Sequence, residues 1–433
     1  MNRRSFLKNT GSTVSFILGL PSFAISHGTF FENLTLQGNY ADRVLVLIQL
    51  EGGNDTLNTI IPLNQYHILN DVRKNILIPE NKILQVNNNN GFGFHPSLTG
   101  LQQLYNDKML SVIHGVGYPD PNFSHFKGTD IKITANVSSA IESDNCLSGW
   151  VGRYLETEYE GYPKGFPKNQ NDGPPAVRIG NVSPKITSGN NFDLGIGFNS
   201  LSDFETLAPD FPASPMTNTT GGQHVTDILS IVKQVKLYVP GIKSAVGKQQ
   251  NLSKLYPKRN KNKLADQLKI VASLIGGDLR SPVYIVNQSG YDTHGDQVLR
   301  TDTTKGVHAE LLSDLSEAIV AFEDDLRLMG KLDNVLGMTF SEFGRRIASN
   351  ESCGTDHGTV EAVMMFGTKL QNSFVGNVPE LPEKPAPGDN MKYHLDFRAL
   401  YASVLKGWFG VPEEKIKTIF LNAPAERLEL FRS

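Results

Sequence analysis

Several short runs along the chain are dominated by apolar residues. They are residues 43–50, 109–114, 282–287, 334–340 and 360–366. A strand with one face in water alternates apolar and polar residues, whereas a strand covered on both faces is apolar nearly throughout. The runs therefore predict buried strands of the kind found in a parallel sheet.

Apolar residues recur at helical spacing between these runs. The helical segments are 96–107, 227–236, 263–274, 307–329 and 394–409. Ser124 stands where an N-cap belongs, ahead of a predicted helix that extends to Ala135. Strands that alternate with helices favour an α/β fold, in which helices cover a mainly parallel sheet.

The middle of the chain shows neither the apolar runs of buried strands nor helical spacing over long stretches. Glycine, proline, asparagine and threonine are concentrated at 158–175 and 206–222. Such clusters are typical of turns and surface loops. We therefore predict loop insertions around 158–222.

The length of the chain, 433 residues, allows roughly three domains or one large α/β domain with insertions. The candidate site residues described below extend from Asp55 to His357. Because these distant residues are expected to serve one site, we predict a single domain over residues 40–410. Residues 411–433 then form a C-terminal extension.

The first 26 residues have the layout of an export signal. The sequence Arg-Arg-Ser-Phe-Leu-Lys at 3–8 precedes an apolar stretch at 14–25 that a glycine and a proline interrupt. A membrane span needs about 20 apolar residues, whereas paired arginines in this context are typical of the twin-arginine route. We expect export by the twin-arginine machinery, a periplasmic or secreted location, and no transmembrane span in the mature chain. The alternative is a basic N-terminus ahead of a buried helix.

Charge and cysteine content exclude several classes of protein. The chain has 41 Lys and Arg against 44 Asp and Glu, a formal net charge of −3, which argues against a broad basic face for nucleic acid. Its two cysteines, Cys146 and Cys353, cannot form a disulfide scaffold or a cysteine-based zinc module. After export they form either one disulfide or two free buried thiols. No phosphate-loop motif indicates ATP hydrolysis.

Polar residues follow the predicted strands at the points where the strands end. Asp55 follows the first run and Ser124 the second, while Asp292 and His294 follow the third and Glu342 the fourth. In open α/β sheets, ligands bind outside the carboxyl ends of the strands. We therefore expect these side chains to converge on one site.

Two Asp/His pairs point to a metal ion. In extended backbone, residues i and i+2 face the same side, so Asp292 and His294 can bind one cation together. Asp356 and His357 lie between glycines, which let the backbone fold closely around an ion. Each pair taken singly also fits a capped turn with an exposed histidine.

The combined acids and imidazoles favour a site for two cations. Asp55 and Glu342 add carboxylates to the two Asp/His pairs. Hard carboxylate oxygens and imidazole nitrogens suit Zn, Mn, Ca or Mg, and composition does not choose among these divalent metals. A metal pair polarises a phosphoryl or sulfuryl oxygen and holds a hydroxyl nucleophile as its alkoxide.

Ser124 and Arg345 are the candidate catalytic residues. At a helix N-terminus, the Ser124 hydroxyl meets backbone N–H groups and a dipole that stabilises a negative oxygen. The alternative for Ser124 is a plain N-cap serine, and no Gly-x-Ser-x-Gly elbow surrounds it. Arg345 supplies a guanidinium suited to an anionic substrate; its alternative is an exposed pair with Glu342.

These motifs, in their order along the chain, resemble an exported bacterial family known as domain of unknown function 1501. The segments that carry the resemblance are 46–58, 124–126, 291–294, 341–345, 354–358 and 394–398. The resemblance covers about residues 40–410. That family is similar to the alkaline phosphatase and sulfatase superfamily, which implies a three-layer α/β/α sandwich with a metal site at the strand ends.

The resemblance also implies roles for individual residues. Ser124 matches the nucleophile, and Asp292 with His294 matches the metal-binding Asp/His motif. Glu342 stands where a strand-end aspartate is usual, and the Asp356-His357 pair matches a late ligand loop.

Two departures from the superfamily pattern affect the predicted site. Glu51 and Asp55 compete for the role of the first-strand aspartate, and Phe343 stands where a ligand histidine often follows the acid. A site with one metal or none is therefore an alternative to a metal pair.

The sequence predicts an exported, metal-dependent hydrolase of phosphate or sulfate esters. Its substrate would be a small-molecule or polysaccharide ester. The alternative is a non-catalytic exported scaffold or carbohydrate-binding protein that retains the alkaline phosphatase-like fold.

Overall fold

The computed structural model describes residues 40, 42–87, 91–137, 148–169, 172–200, 220–371, 373–420, 424 and 426–432, without the side chains of 220–233. The predicted export signal and Cys146 lie outside the described residues. Asp42–Ser433 form one compact unit. Within the described ranges, no helix is long and apolar enough to cross a membrane.

The strands form a large and a small sheet. They are β1 (Val44–Glu51), β2 (Ile60–Pro62), β3 (Leu84–Gln85), β4 (Phe92–Phe94), β5 (Leu110–Gly117), β6 (Ala176–Ile179), β7 (Gly195–Phe198), β8 (Val283–Ser289), β9 (Val335–Phe340), β10 (Glu361–Phe366), β11 (Phe374–Val375) and β12 (Leu395–Asp396). The nine-stranded sheet has the order β11-β5-β10-β9-β1-β8-β6-β7, and β12 also pairs with β5. The small sheet has the antiparallel order β2-β4-β3.

The large sheet is parallel except at β10. Strand β1 pairs in parallel with β8 and β9, and the remaining parallel pairs are β6 with β7, β6 with β8, and β5 with β11 and β12. Strand β10 is antiparallel to both β5 and β9. The carboxyl ends of β1, β5, β8 and β9 therefore lie at the same end of the sheet as the amino end of β10.

Helices cover both faces of this sheet. They are α1 (Thr56–Thr59), α2 (Tyr66–Val72), α3 (Thr99–Asn106), α4 (His125–Thr134), α5 (Trp150–Glu158), α6 (Thr220–Lys248), α7 (Lys263–Gly276), α8 (Val307–Leu328), α9 (Phe397–Phe409) and α10 (Glu413–Ile419). Leu45, Val46, Leu47 and Ile48 of β1 are fully buried, although successive side chains of a strand point to opposite faces. Both faces are thus covered, which confirms the predicted three-layer α/β/α architecture.

Most predicted elements are present with small shifts at their ends. The five apolar runs are β1, β5, β8, β9 and β10, and the segments of helical spacing belong to α3, α6, α7, α8 and α9. The helix predicted after Ser124 is α4, for which Ser124 is the N-cap and Ala135 the left-handed C-cap, at φ 54°.

The structure also contains elements that the sequence patterns did not predict, among them the small sheet and α5. Strands β6 and β7 lie within the segment interpreted as loop insertions, and each has only four residues, too few to establish a period. Helix α9 begins at Phe397 rather than at 394. The Asp396 side chain accepts the Arg398 backbone N–H at 2.9 Å, so Asp396 caps the helix and the preceding residues are extended.

Candidate metal centre

The strand directions bring three loops together at one end of the large sheet. His125 opens α4, in the loop region after β5, and Asp292 with His294 follows β8. Asp356 and His357 precede β10. Because β10 runs against its neighbours, residues just before it reach the same end of the sheet as residues just after β5 and β8.

Asp292 lies at the centre of the resulting cluster. Its Oδ1 is 3.2 Å from His357 Nε2 and 3.3 Å from His294 Nε2, and its Oδ2 is 3.3 Å from His125 Nε2. One ligand atom from each of His125, Asp292 and His357 lies within 4.8 Å of the other two. Tetrahedral zinc ligands with bonds of about 2.0–2.1 Å lie about 3.3 Å from one another, and the three Asp292–histidine distances match that separation.

The other nitrogen of each imidazole in the cluster has an oxygen partner. His125 Nδ1 is 2.8 Å from Glu342 Oε1, His294 Nδ1 is 3.1 Å from Asp356 Oδ1, and His357 Nδ1 is 2.7 Å from the Phe123 carbonyl oxygen. In each pair Nδ1–H donates and the oxygen accepts. Metal-bound histidines characteristically donate their second N–H to a carboxylate or a carbonyl, which leaves the Nε2 lone pair for the ion.

The acids and imidazoles of the cluster have shifted pKa values. Burial raises the pKa of Asp292, but the hydrogen bond and positive charge of Arg345 oppose it and help to bring the pKa down to about 2. Burial lowers the pKa of His357, while the hydrogen bond to Glu342 raises the pKa of His125. Asp292 is thus ionised and His357 neutral near pH 7, as metal ligands have to be, whereas an ion bound by His125 would have to displace a proton that this histidine holds more tightly than usual.

Glu342 and Asp356 lie behind the imidazoles. Besides His125, Glu342 Oε1 accepts the Gly52 backbone N–H at 2.9 Å, and the Glu342 side chain is only 3% exposed. Asp356 accepts a hydrogen bond from Asn350 at 3.2 Å as well as from His294. Both acids therefore orient histidines where the sequence analysis expected metal ligands.

Asp55 lies apart from the cluster. It is completely buried and forms an ion pair with Arg73, Oδ2 to Nη1 at 2.8 Å, and it accepts Gln297 Nε2 at 2.7 Å. Burial raises the pKa of Asp55, but the charge and hydrogen bond of Arg73 bring it below its ordinary value. These protein donors engage the Asp55 carboxylate. Asp55 was an expected metal ligand, but the structure does not bring it to the metal centre.

Arg345 lies beneath the cluster and is fully buried. Its Nε donates to the Gly53 carbonyl at 2.7 Å, its Nη1 to the Thr355 carbonyl at 2.6 Å, and its Nη2 to Asp292 Oδ1 at 2.7 Å. The guanidinium thus joins three loops and fixes the central carboxylate. This position differs from the expected contact with an anionic substrate, because protein oxygens surround the guanidinium.

Phe343 and Gly52 shape the strand ends beside the cluster. The Phe343 ring centroid is 4.5 Å from that of His357 and 5.0 Å from that of His125, so Phe343 forms an apolar support for the two imidazoles. A Cβ on Gly52 would lie 2.2 Å from the Asp292 backbone nitrogen. Only glycine allows β1 to end this close to the loop that carries Asp292.

Ser124 and His125 stand side by side at the start of α4. Ser124 is exposed, and its hydroxyl makes no capping hydrogen bond. Ser124 was a predicted site residue, but His125 was not. The signal for His125 was available, because it follows a strand end just as Asp292 and His294 do.

A buried ion pair fixes α4 in position. Lys132, on the last turn of α4, pairs with Glu361 at the start of β10, and both side chains are buried. Glu361 also accepts the Ser341 backbone N–H at 2.7 Å. Glu361 thereby links the helix that carries His125 to the strand end that carries Glu342.

The fold and the cluster define an α/β protein with a candidate metal centre at the carboxyl ends of parallel strands. The model of the family described as a protein of unknown function, DUF1501, matches residues 258–419, which confirms the family resemblance over that stretch. Six of the predicted site residues lie within it: Asp292, His294, Glu342, Arg345, Asp356 and His357. No curated protein sequence matches the chain.

Solved structures with similarity to this chain include three bacterial proteins. A sulfatase from Pseudoalteromonas sp. is 11% identical, with coverage of 89% of this chain and 71% of that chain and a TM-score of 0.39. A protein in the alkaline phosphatase superfamily from Vibrio parahaemolyticus is 12% identical, with coverages of 89% and 71% and a TM-score of 0.36. The C-terminal periplasmic domain of EcEptC from Escherichia coli, in complex with Zn, is 11% identical, with coverages of 75% and 73% and a TM-score of 0.34. At these scores, function has to be argued from the side chains of this chain.

Proposed function

We propose that this protein is an exported hydrolase of phosphate or sulfate esters that depends on one divalent cation. His125, Asp292 and His357 would bind the ion, and His294 adjoins them as a fourth candidate ligand. The observation that carries the proposal is the orientation of three imidazoles. Each Nδ1 has an oxygen acceptor, while each Nε2 faces the Asp292 carboxylate.

A bound cation would stabilise this arrangement. With Nδ1 protonated, a neutral imidazole presents only a lone pair at Nε2. The Nε2 atoms of His294 and His357 are 2.9 Å apart, and both face an ionised carboxylate. Lone pairs this close repel one another unless a proton or a metal ion lies between them. A site rich in imidazole favours zinc or another transition metal over calcium and magnesium.

The charge of Arg345 favours one ion rather than the predicted pair. Its Nη2 lies 2.7 Å from Asp292 Oδ1, so a fixed positive charge already occupies one side of the shared carboxylate. Asp55, the acid expected to complete a second metal site, is paired with Arg73 instead. A second cation at this carboxylate would be repelled by the fixed charge of the guanidinium.

The bound ion would act as a Lewis acid on the ester. Ser124 is the proposed nucleophile, because its exposed hydroxyl adjoins His125 at the N-terminus of α4. The serine oxygen forms a bond to phosphorus or sulfur, the bond to the alcohol breaks, and the departing alkoxide takes up the proton that the serine hydroxyl loses. Water then cleaves the serine ester, so the net reaction consumes one water and releases the alcohol and the inorganic acid.

Other residues of this chain would hold the reacting groups in place. Glu342 orients His125, Asp356 orients His294, and Arg345 keeps Asp292 ionised. Export to the periplasm or beyond is part of the proposal and is supported by the twin-arginine pattern at 3–8. A small-molecule or polysaccharide ester is the proposed substrate.

The proposal is tested by metal analysis and turnover of the full chain. We expect one zinc ion per chain after reconstitution, loss of that zinc in Asp292→Ala and His357→Ala, and a smaller loss in His294→Ala. His67→Ala is the matched control, since His67 is an exposed histidine that pairs with the exposed Glu383. Absence of bound metal after reconstitution would overturn the proposal.

Aryl phosphate and aryl sulfate test the chemistry. Ser124→Ala should retain zinc and lose turnover by at least about a hundredfold, as expected for loss of an activated nucleophile. Retained zinc with no wild-type turnover on either ester would favour the non-catalytic alternative.

A further inference from the structure

A cleft of about 550 Å³ opens beside the metal centre. His125, Asp292 and Glu342 form one wall of it, and Glu51, at the end of β1, forms part of the floor. The volume lies in the range of ligand-binding pockets, about 300–1,000 Å³. The cleft is therefore large enough for the part of a substrate that does not react.

Phe126 lies at this cleft with its ring in solvent. It is 91% exposed, the largest exposed fraction among the large apolar side chains of the described residues. It directly follows the candidate ligand His125 in α4. An aromatic ring that packs on nothing in its own fold, placed beside a polar cluster, is available to pack on the apolar face of a ligand ring.

The rest of the lining carries no Lys or Arg and is polar except at Gly52, Ile133, Val182 and Pro184. Its neutral polar residues are Gln49, Thr129, Asn181 and Ser183, and its acids beyond the metal centre are Glu51 and Asp130. Asp130 is already paired with Lys185, at 3.0 Å. Carboxylates and amides accept hydrogen bonds from hydroxyl groups, whereas an additional anionic group on the ligand would be repelled here.

We propose that the cleft binds the uncharged, hydroxyl-bearing ring of the ester substrate, a sugar ring, with Phe126 as its packing platform. This inference rests on the proposed function, because the reacting ester group would lie at the metal centre. Glu51 and Asn181 would accept and donate hydrogen bonds to the ring hydroxyls. The substrate class is therefore a carbohydrate that bears a single phosphate or sulfate ester near the bound ring, rather than a polyanion.

Ligand-observed NMR on the full chain tests the cleft directly, with the methyl glycosides of glucose, galactose and mannose as probes. These probes contain no ester, and the titrations are made with zinc and again with excess EDTA. We expect at least one glycoside to bind under both conditions. Phe126→Ala should weaken that binding by about three- to tenfold, whereas Phe192→Ala, at a half-exposed phenylalanine outside the cleft lining, should leave it unchanged.

A charged probe tests the exclusion of polyanions. In EDTA, where no metal can bind a carboxylate, the uronic acid of the bound glycoside should bind at least about tenfold more weakly, since the lining is acidic. Binding of no glycoside, equal binding by Phe126→Ala, or tighter binding of the uronic acid would each overturn the inference. A wild-type dimer that Phe126→Ala dissociates in sedimentation would overturn it too, because Phe126 would then belong to an interface.

The two proposals fail in different ways. Glycoside binding in EDTA does not require the metal centre, so it supports the cleft assignment even if no ester is hydrolysed. Ester hydrolysis that Phe126→Ala leaves unchanged in KM, together with no glycoside binding, would retain the proposed hydrolase and remove the sugar subsite.

Discussion

Glu342→Gln tests whether the buried acid behind His125 supports metal binding. Glu342 Oε1 lies 2.8 Å from His125 Nδ1 and 2.9 Å from the Gly52 backbone nitrogen, and its Oε2 lies 3.2 Å from Ser341 Oγ. Glutamine has the same shape but no charge, so at most one of its terminal atoms can continue to accept these hydrogen bonds. The Glu342 carboxylate fixes the His125 tautomer and makes His125 Nε2 more basic. The change to glutamine therefore weakens both effects.

The expected loss is the usual effect of removing such an outer partner, about ten- to a hundredfold in metal affinity. This corresponds to about 1.4–2.8 kcal/mol of binding free energy. The assay is competition for zinc between the protein and a chelator of known affinity, with Glu317→Gln as the control at an exposed glutamate of α8. Unchanged zinc affinity in a folded Glu342→Gln protein would refute the reasoning that His125 is a ligand oriented by Glu342.

Three further predictions concern other parts of the chain. Asp55→Ala leaves Arg73 buried without its partner and should lower the free energy of unfolding, measured in urea, by about 3–5 kcal/mol. A loss of zinc with unchanged stability would instead place Asp55 at the metal. Gly354→Ala puts a Cβ 2.4 Å from the His294 backbone carbonyl carbon and should weaken zinc binding. Gly388→Ala, with nothing within 4 Å of its Cβ, should leave zinc binding unchanged. Equal effects of the two substitutions would contradict this prediction. Burial raises the pKa of Glu323 from 4.5 to about 8, so the folded state binds the extra proton and stability should fall as pH rises from about 4.5 to about 8, by up to about 5 kcal/mol. Glu323→Gln should remove this fall in urea unfolding measured across that range, and parallel profiles of the two proteins would contradict it.

The amino-acid pattern was enough to predict the strands that build the centre of the fold. Runs such as 43–50 and 334–340 are apolar because both faces of β1 and β9 are covered, and that requirement is visible in the sequence. Short strands at the side of the sheet, β6 and β7, were missed. Four residues do not define a period, and their pairing with β8 and with each other exists only in the folded sheet.

The sequence by itself determined which residue types would gather at the strand ends, and it identified Asp292, His294 and His357 among them. Only the tertiary structure decided their roles. Strand β10 is antiparallel, which brings His357 to Asp292. Arg73, which is distant from the strand ends, forms an ion pair with Asp55. His125, beside Ser124, joins the cluster. Local pattern specifies whether a side chain is available near a strand end. Whether that side chain contacts an ion, an arginine or another side chain depends on its partners, and only the packed sheet and its loops bring those partners within a few ångströms.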